Sequence, residues 1–326
     1  MCRNNLIRVM ALVCLQLACW TTMSAQGGSM LGDVDSDGNV GISDVTALID
    51  GLLSGDASID RAVADIDSDG KIGISDVAAL IDYLLTGELP YVAEPIDITV
   101  GSVTFKMIPV QGGTFAMGAM DGDSYARPWE SPVHQVTLDD YYIGETEVTQ
   151  ALWRAVMNNN PSYFTGNLQR PVERVTYADC LSFITKLNQK TGKTFRLLTE
   201  AEWEFAARGG NKGNGYLYAG SSVVDDVAWH GGNSGDTTHP VGGKAPNELG
   251  LYDMGGNVSE MVSDWYGLYS ADAVVNPTGP ATGTARIYRG GSWNQAFRMC
   301  RVTCRMEHAS YMLGNVNVGL RLALVM

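Results

Sequence analysis

Tyr288-Arg289-Gly290-Gly291-Ser292-Trp293 opens the final stretch of the chain, which runs on through Cys300-Arg301-Val302-Thr303-Cys304-Arg305 and closes on Gly319-Leu320-Arg321. Two adjacent glycines ahead of a small hydroxyl and an indole mark a tight backbone turn with an aromatic packed over it. Two closely spaced cysteines follow, then a mixed loop and a last apolar strand. Chemistry or a ligand site is expected at this end, with the rest of the chain serving delivery, anchoring and scaffold.

Working outward, 326 residues allow two domains of ordinary size. Between Leu31 and Pro90, twelve Asp and one Glu face only Arg61 and Lys71, which puts −11 of the net −14 in one short module. An acidic module ahead of a nearly neutral one argues against nucleic acid as a partner. Residues 1–25 carry Arg3 and Arg8, an apolar run from Val9 to Trp20, and Ser24-Ala25, the pattern of a secretory signal. A retained anchor is the weaker reading, because the run falls short of the ~20 apolar residues of a membrane span. Cys19 offers a lipoprotein alternative, disfavoured by Gln16 where an apolar residue is preferred. No later segment is apolar enough to span, so a secreted, extracellular or cell-surface protein is expected. Behind the signal remain Cys180, Cys300 and Cys304. An odd count leaves at least one thiol free or paired between chains.

The acidic module contains an internal repeat. Asp33-Val-Asp35-Ser-Asp37-Gly38-Asn39-Val-Gly41-Ile42-Ser43-Asp44 recurs as Asp65-Ile-Asp67-Ser-Asp69-Gly70-Lys71-Ile-Gly73-Ile74-Ser75-Asp76. Carboxylates at loop positions 1, 3, 5 and 12, a turning glycine at 6 and a carbonyl at 7 (Asn39, Lys71) converge hard oxygens on Ca2+, one ion per loop. Each loop feeds a helix with apolar residues at helical spacing, Val45, Leu48, Ile49, Leu52 and Leu53, then Val77, Leu80, Ile81, Leu84 and Leu85. Gly55 and Gly87 end them. Together the two loop–helix repeats resemble a type I dockerin, a small all-α, EF-hand-like module. The resemblance implies a cohesin-type partner, with recognition at Ile42, Ser43, Ile74 and Ser75 and two docking poses related by a pseudo-twofold.

Residues 31–90 form this module, 91–97 a short linker, and 98–326 the large domain. Alternation predicts strands at Val103–Met107 and His134–Leu138. Helical spacing predicts a helix over Glu147–Met157 capped by Thr146, and another from Thr176 to Asn188 that buries Cys180, Phe183, Ile184 and Leu187. Thr199 with Glu202 three residues on is a capping box, opening a helix through Trp203 and Phe205. Beyond Gly209, glycines, asparagines and aromatics without periodicity predict long ordered loops and short strands.

Five ordered blocks share one resemblance. They are Gly112–Gly118, Glu145–Thr149 with Trp153, Arg196–Gly210, Asn247–Val258 and Arg289–Trp293. Together they are similar to the sulfatase-modifying factor family, the formylglycine-generating enzyme-like domains. The resemblance implies a C-type-lectin-like α+β fold over roughly residues 100 to 324. It also implies a structural Ca2+ held by the Asp253 and Glu260 side chains with the Gly256 and Val258 carbonyls, a hard-oxygen set. The plainer alternative is that Asp253 caps a turn and Glu260 is solvated. Family members carry Trp at positions 259 and 261, where this chain has Ser259 and Met261.

The enzymes of that family oxidise a substrate cysteine to formylglycine, using two thiolates spaced C-x4-C to hold Cu+. Here the second thiolate falls on Cys300, the candidate catalytic residue, and the first on Gln295, an amide that cannot replace a soft ligand. Cys304 is not an obvious substitute, because four residues along an extended segment lie ~13 Å apart. Cys300 therefore stands as a catalytic thiol, as a packed structural thiol, or as half of a disulfide with Cys304 or another chain. The histidines His134, His230, His239 and His308 lack metal spacing. Some relatives use the terminal stretch as a diversified ligand surface, for which Trp293, Gln295, Phe297, Arg298, His308 and Tyr311 are the candidates. The expectation is a non-catalytic module binding a protein or glycan, with Trp229, Trp265, Trp293, Tyr266 and Tyr269 as candidates for a sugar platform. The alternatives are an active copper oxidase, or an accessory component of an extracellular polysaccharide-degrading complex.

Overall fold

A computed structural model describes residues 30–55, 59–67, 70–87, 93–309 and 314–325, with the side chains of 308 and 309 undescribed. The expected signal segment 1–25, Cys19, Asp69, the His308 side chain and Tyr311 lie outside the described residues. The chain divides into two compact units, Met1–Ala93 and Glu94–Met326.

The first unit is built on helices Ile42–Ser54 and Ile74–Thr86. Each starts where a loop carboxylate caps the backbone: Gly41 N–H donates to Asp44 Oδ2 at 2.7 Å, and Gly73 N–H to Asp76 Oδ2 at 2.7 Å. Each ends at a left-handed glycine, Gly55 or Gly87. Val45, Leu48, Val77 and Leu80 meet in the core with Ala64 and Ile66. Ala64 arrives on a helical turn, Arg61–Ala64, that sequence periodicity is too short to reveal, and Ile66 follows just after it; Asp60 caps the turn. Leu53 is 78% exposed and Leu85 45%, against the expectation of burial. Eight residues of helix rotate these positions ~80° from the start of the apolar stripe, past the edge of a core only two helices deep. At Gly51 an added Cβ would lie 2.1 Å from Ile59 Cδ1, so the glycine admits that side chain against the helix.

The second unit is α+β. Strands β1 (Ile96–Val100), β2 (Val103–Val110), β3 (Gly113–Met117), β4 (His134–Leu138) and β5 (Tyr141–Gly144) lead in. Then come β6 (Phe195–Leu197), the pair β7 (Ala228–Trp229) and β8 (Gly255–Gly256), and β9 (Ser259–Trp265). Last are β10 (Val274–Val275), β11 (Ala285–Arg289), β12 (Arg305–Ala309), β13 (Val318–Leu320) and β14 (Leu322–Leu324). They form a five-stranded sheet ordered β1-β2-β5-β14-β6, a four-stranded sheet β12-β11-β9-β13, a three-stranded sheet β10-β4-β3, and the pair β7-β8. β1 begins at Ile96, inside the expected linker 91–97, and pairs with β2 from Ile96↔Met107 onward.

Three main helices pack against these sheets. Gln150–Met157 starts three residues later than expected, capped by Thr149, whose hydroxyl accepts the Leu152 N–H at 3.2 Å. Thr146 instead donates its hydroxyl to the Glu147 carbonyl. Tyr177–Thr191 follows its Thr176–Asp179 capping box and buries Cys180, Phe183, Ile184 and Leu187 as the spacing requires. Trp153 stacks on Phe183, ring centroids 4.9 Å apart, and joins these two helices. Glu200–Ala207 starts at the Thr199–Glu202 box and is buried along its whole length. Its Trp203, Phe205 and Ala206 occupy the centre of the main core with Val110, Ile143, Val262 and Ile287.

Candidate functional site

In the acidic module the Asp33, Asp35 and Asp37 carboxylates each place an oxygen within 4.8 Å of the others, and Asp65, Asp67 and Asp76 do the same. Asp33 accepts the Gly38 N–H on Oδ2 at 3.1 Å, while its buried Oδ1 has no hydrogen-bond partner among the described residues. An orphaned carboxylate oxygen facing two more carboxylates fits a hard divalent cation. Asp44 and Asp76 sit beneath the loops, accepting the Asp35 and Asp67 N–H groups at 3.0 and 3.2 Å. Burial raises the pKa of both. Asn39 and Lys71 are exposed residues, and the Asn39 side chain donates Nδ2 to Asp37 Oδ1 at 3.3 Å. Ile42 is 40% and Ile74 69% exposed, with Ser43 and Ser75 exposed beside them.

In the large unit, Asp253 is buried on the loop before β8. Its Oδ2 accepts the Gly242 N–H at 2.7 Å, and its buried Oδ1 has no partner among the described residues. Burial pushes its pKa up to about 6. Glu147 lies nearby, accepting Asn257 Nδ2 at 2.7 Å and the Val258 N–H at 2.9 Å. Burial raises its pKa well above the ordinary range, and the Asp253 and Glu260 charges add to that. Gly256 sits at φ 79 with its backbone against Trp229, where a Cβ would fall 2.2 Å from the Trp229 carbonyl. Glu260 is committed elsewhere. Arg321 donates Nε and a terminal nitrogen to its Oε1 at 2.9 and 2.7 Å, and Trp203 Nε1 donates to its Oε2 at 2.7 Å. The orphaned Asp253 oxygen fits a cation at Asp253, whereas both oxygens of Glu260 are taken up by Arg321 and Trp203. Ser259, where a larger side chain would pack, leaves a buried hydroxyl without a partner among the described residues.

At the terminal stretch, Gly290 and Gly291 adopt φ 88 and 70. The aromatic over the turn is Trp203, whose ring would meet a Cβ on Gly290 at 3.1 Å. Trp293 is 9% exposed, set edge-on to Phe164 at 5.0 Å with its Nε1 donating to the Val316 carbonyl at 3.1 Å. It is therefore a buried anchor and not part of a ligand surface. Gln295 donates Nε2 to Met306 Sδ at 3.3 Å, and its Oε1 is buried without a partner among the described residues. Phe297 is 36% exposed and Arg298 half-buried.

Cys300 ends a 3-10 turn, Phe297–Cys300, and the Cys304 N–H donates back to the Arg301 carbonyl at 3.1 Å. The segment between the cysteines is thus a turn rather than the extended run expected, because Arg301 dives inward to Glu130 and Asp123. Cys180, Cys300 and Cys304 are free and buried. Burial pushes the Cys300 thiol up to about 12 and Cys304 to about 11. Among the described residues, no group of three His, Cys, Asp or Glu ligands forms outside the two acidic loops.

The expected sugar platform does not stand free. Arg286 covers Trp265 at 3.4 Å, His239 stacks on Trp229 at 3.8 Å, and Arg305 lies over Tyr269 at 4.0 Å and Tyr266 at 5.1 Å. Sequence patterning also misses a buried ionic layer. Arg289 reaches Glu204 at 2.5 Å, Arg305 reaches Glu200 at 2.7 Å, and Arg301 reaches Glu130 at 2.7 Å. Each pair links positions remote in sequence, where no short-range pattern exists to read.

Comparison with known proteins places this geometry. Residues 100–326 match the sulfatase-modifying factor enzyme 1-like domain, and residues 31–85 the dockerin type I domain. A chaperone protein LppX from Paenibacillus barcinonensis is 34% identical over 242 residues, covering 59% of this chain and 80% of that protein. A formylglycine-generating enzyme from Streptomyces coelicolor is 30% identical over 266 residues, covering 62% and 82% respectively. Among solved structures, Treponema denticola variable protein 1 superposes with a TM-score of 0.66 at 33% identity, covering 72% of this chain and 100% of that one. PvdO from Pseudomonas aeruginosa gives 0.60 at 25% identity, with the same coverage.

Proposed function

This chain belongs to the sulfatase-modifying factor enzyme 1-like family, and we propose that its large domain binds a ligand rather than oxidising a cysteine. One observation carries the reading: where the family's oxidases place their first soft thiolate this chain has the amide of Gln295, and the thiols on the turn that follows, Cys300 at 1% and Cys304 at 2% exposure, are both held protonated by burial. Copper does not fit that donor set. The terminal face around Gln295, Phe297 and Arg298 is the binding surface, with Trp293 as its buried support.

The dockerin domain supplies the tether. Domains of this type bind calcium and dock to cohesin partners. In this chain Asp33, Asp35, Asp37, Asp44, Asp65, Asp67, Asp69 and Asp76, with the Asn39 and Lys71 carbonyls, hold two Ca2+, and Ile42, Ser43, Ile74 and Ser75 meet the cohesin. Asp253, with the Gly256 and Val258 carbonyls and a shared oxygen of Glu260, holds a third. Such a protein works outside the cell or at its surface. No described helix is long and apolar enough to cross a membrane.

The test is aerobic incubation of the full chain with Cu+ and a Cys-x-Pro-x-Arg peptide, read by mass spectrometry, beside Cys300→Ala. No formylglycine from folded protein is the expected result. Conversion that vanishes in Cys300→Ala overturns the reading and makes the protein an oxidase.

A further inference from the structure

A cavity of about 480 Å3 lies between segment 127–130 and the terminal stretch 298–307, with Arg127, Trp129, Tyr266, Arg298, Arg301 and Arg305 on its walls. Two of its four arginines are neutralised. Arg301 pairs with Glu130 at 2.7 Å and with Asp123, and Arg305 pairs with Glu200 at 2.7 Å. The side chains of Arg127 and Arg298 have no hydrogen bond, ion pair or ring contact among the described residues. The carboxylate on the wall, Glu307, is exposed and forms no ion pair among the described residues. Trp129 is 41% exposed and, unlike the five aromatics of the expected platform, has no cation or ring on its face among the described residues. Methionines 299 and 306 complete a soft apolar floor.

We propose that this cleft binds an anionic sugar, a ring bearing a carboxylate or a sulfate. Two unpaired guanidiniums present forked donors matched to the oxygens of either group. The open indole face offers an apolar wall for the C–H face of the ring. The volume is that of a small-molecule site, suited to one or two sugar rings rather than to an extended chain. This deepens the binding-module reading by naming a ligand class, and it rests on that reading.

Trp129 gives the probe. The full chain is titrated with glucuronic acid, with N-acetylglucosamine 6-sulfate and with neutral glucose, following indole fluorescence and confirming by calorimetry. Either or both acidic sugars should bind, which tells uronate from sulfate, and glucose should not. Arg127→Ala with Arg298→Ala should weaken binding at least tenfold with an unchanged melting temperature, while Arg154→Ala, distant on an exposed helix face, should leave it intact. Failure of all acidic sugars, equal binding of glucose, or an unaffected double variant overturns the proposal. So does tighter binding of an aspartate-rich peptide that loses affinity in the double variant, because it assigns the cleft to a protein. None of these outcomes bears on the formylglycine assay, so the two readings fail separately.

Discussion

Asp253→Asn isolates the buried carboxylate at the proposed cation position. Burial lifts the Asp253 pKa from 3.8 to about 6, with the Gly242 N–H and Arg321 only partly offsetting it. The folded, metal-free protein therefore holds the Asp253 proton more tightly than the unfolded chain does. Between pH 3.8 and about 6 the native state binds more protons, so stability falls as pH rises through that window. The penalty is absent below it and complete above it, where a rise from 3.8 to about 6 corresponds to ~3 kcal/mol. Asparagine keeps the shape and an oxygen to accept the Gly242 N–H, but carries no charge. In chelator at pH 7.5 the variant should be more stable than the parent by up to ~3 kcal/mol, with the advantage gone at pH 4. Saturating Ca2+ should reverse the order, because the variant offers the cation one charged oxygen fewer than the parent. Urea denaturation of the full chain, following the large-unit transition from pH 4 to 8 with and without Ca2+, measures both effects. A pH-independent difference between the proteins, or equal stabilisation of both by Ca2+, refutes the reasoning.

Four further outcomes are expected. Asp33→Ala should remove about half of the calcium stabilisation of the small-unit transition, the ~2.7 kcal/mol of one site at a hundredfold excess over Kd, and an unchanged calorimetric shift would count against the loop assignment. Arg301→Ala leaves Glu130 and Asp123 buried without a counter-ion and should cost ~3–5 kcal/mol in urea denaturation. Arg196→Ala, which breaks the more exposed pair with Glu202, should cost at most ~1 kcal/mol. With burial pushing Cys300 to about 12 and Cys304 to about 11, both should resist a thiol reagent at pH 8 until denaturant is added; rapid native labelling would show them accessible as thiolates.

Local signals carried much of the fold. The Thr199–Glu202 and Thr176–Asp179 boxes mark true helix starts because capping is satisfied within one turn of chain. The convergence of the acidic loops was equally legible, since their clustered carboxylates lie within twelve consecutive residues. Legibility ended where partners are remote. Glu147 falls in a stretch with helical spacing, yet it stands outside the helix as a buried acceptor for Val258, more than a hundred residues away. Trp293 and Trp129 show the same limit: nothing near either residue says that the first is covered by Phe164 and the second left bare. No local pattern marks the arginines of the last stretch as interior, although Arg289, Arg301, Arg305 and Arg321 are all buried by acids drawn from earlier segments.

The order in which the strands are synthesised matters for the chain as it is made. Leu322–Leu324, the β14 strand, is not an edge strand; it lies between β5 and β6 and hydrogen-bonds to both. Until it leaves the ribosome, two apolar strand edges stay unpaired, and Glu260 waits for the neighbouring Arg321. Completion of the large unit is therefore tied to the emergence of this strand and to closure of contacts spanning up to 182 residues, as between Tyr142 and Leu324. Such a delay keeps the nascent polypeptide pliable for as long as β14 is missing, and leaves its unfinished form the one most in need of a chaperone.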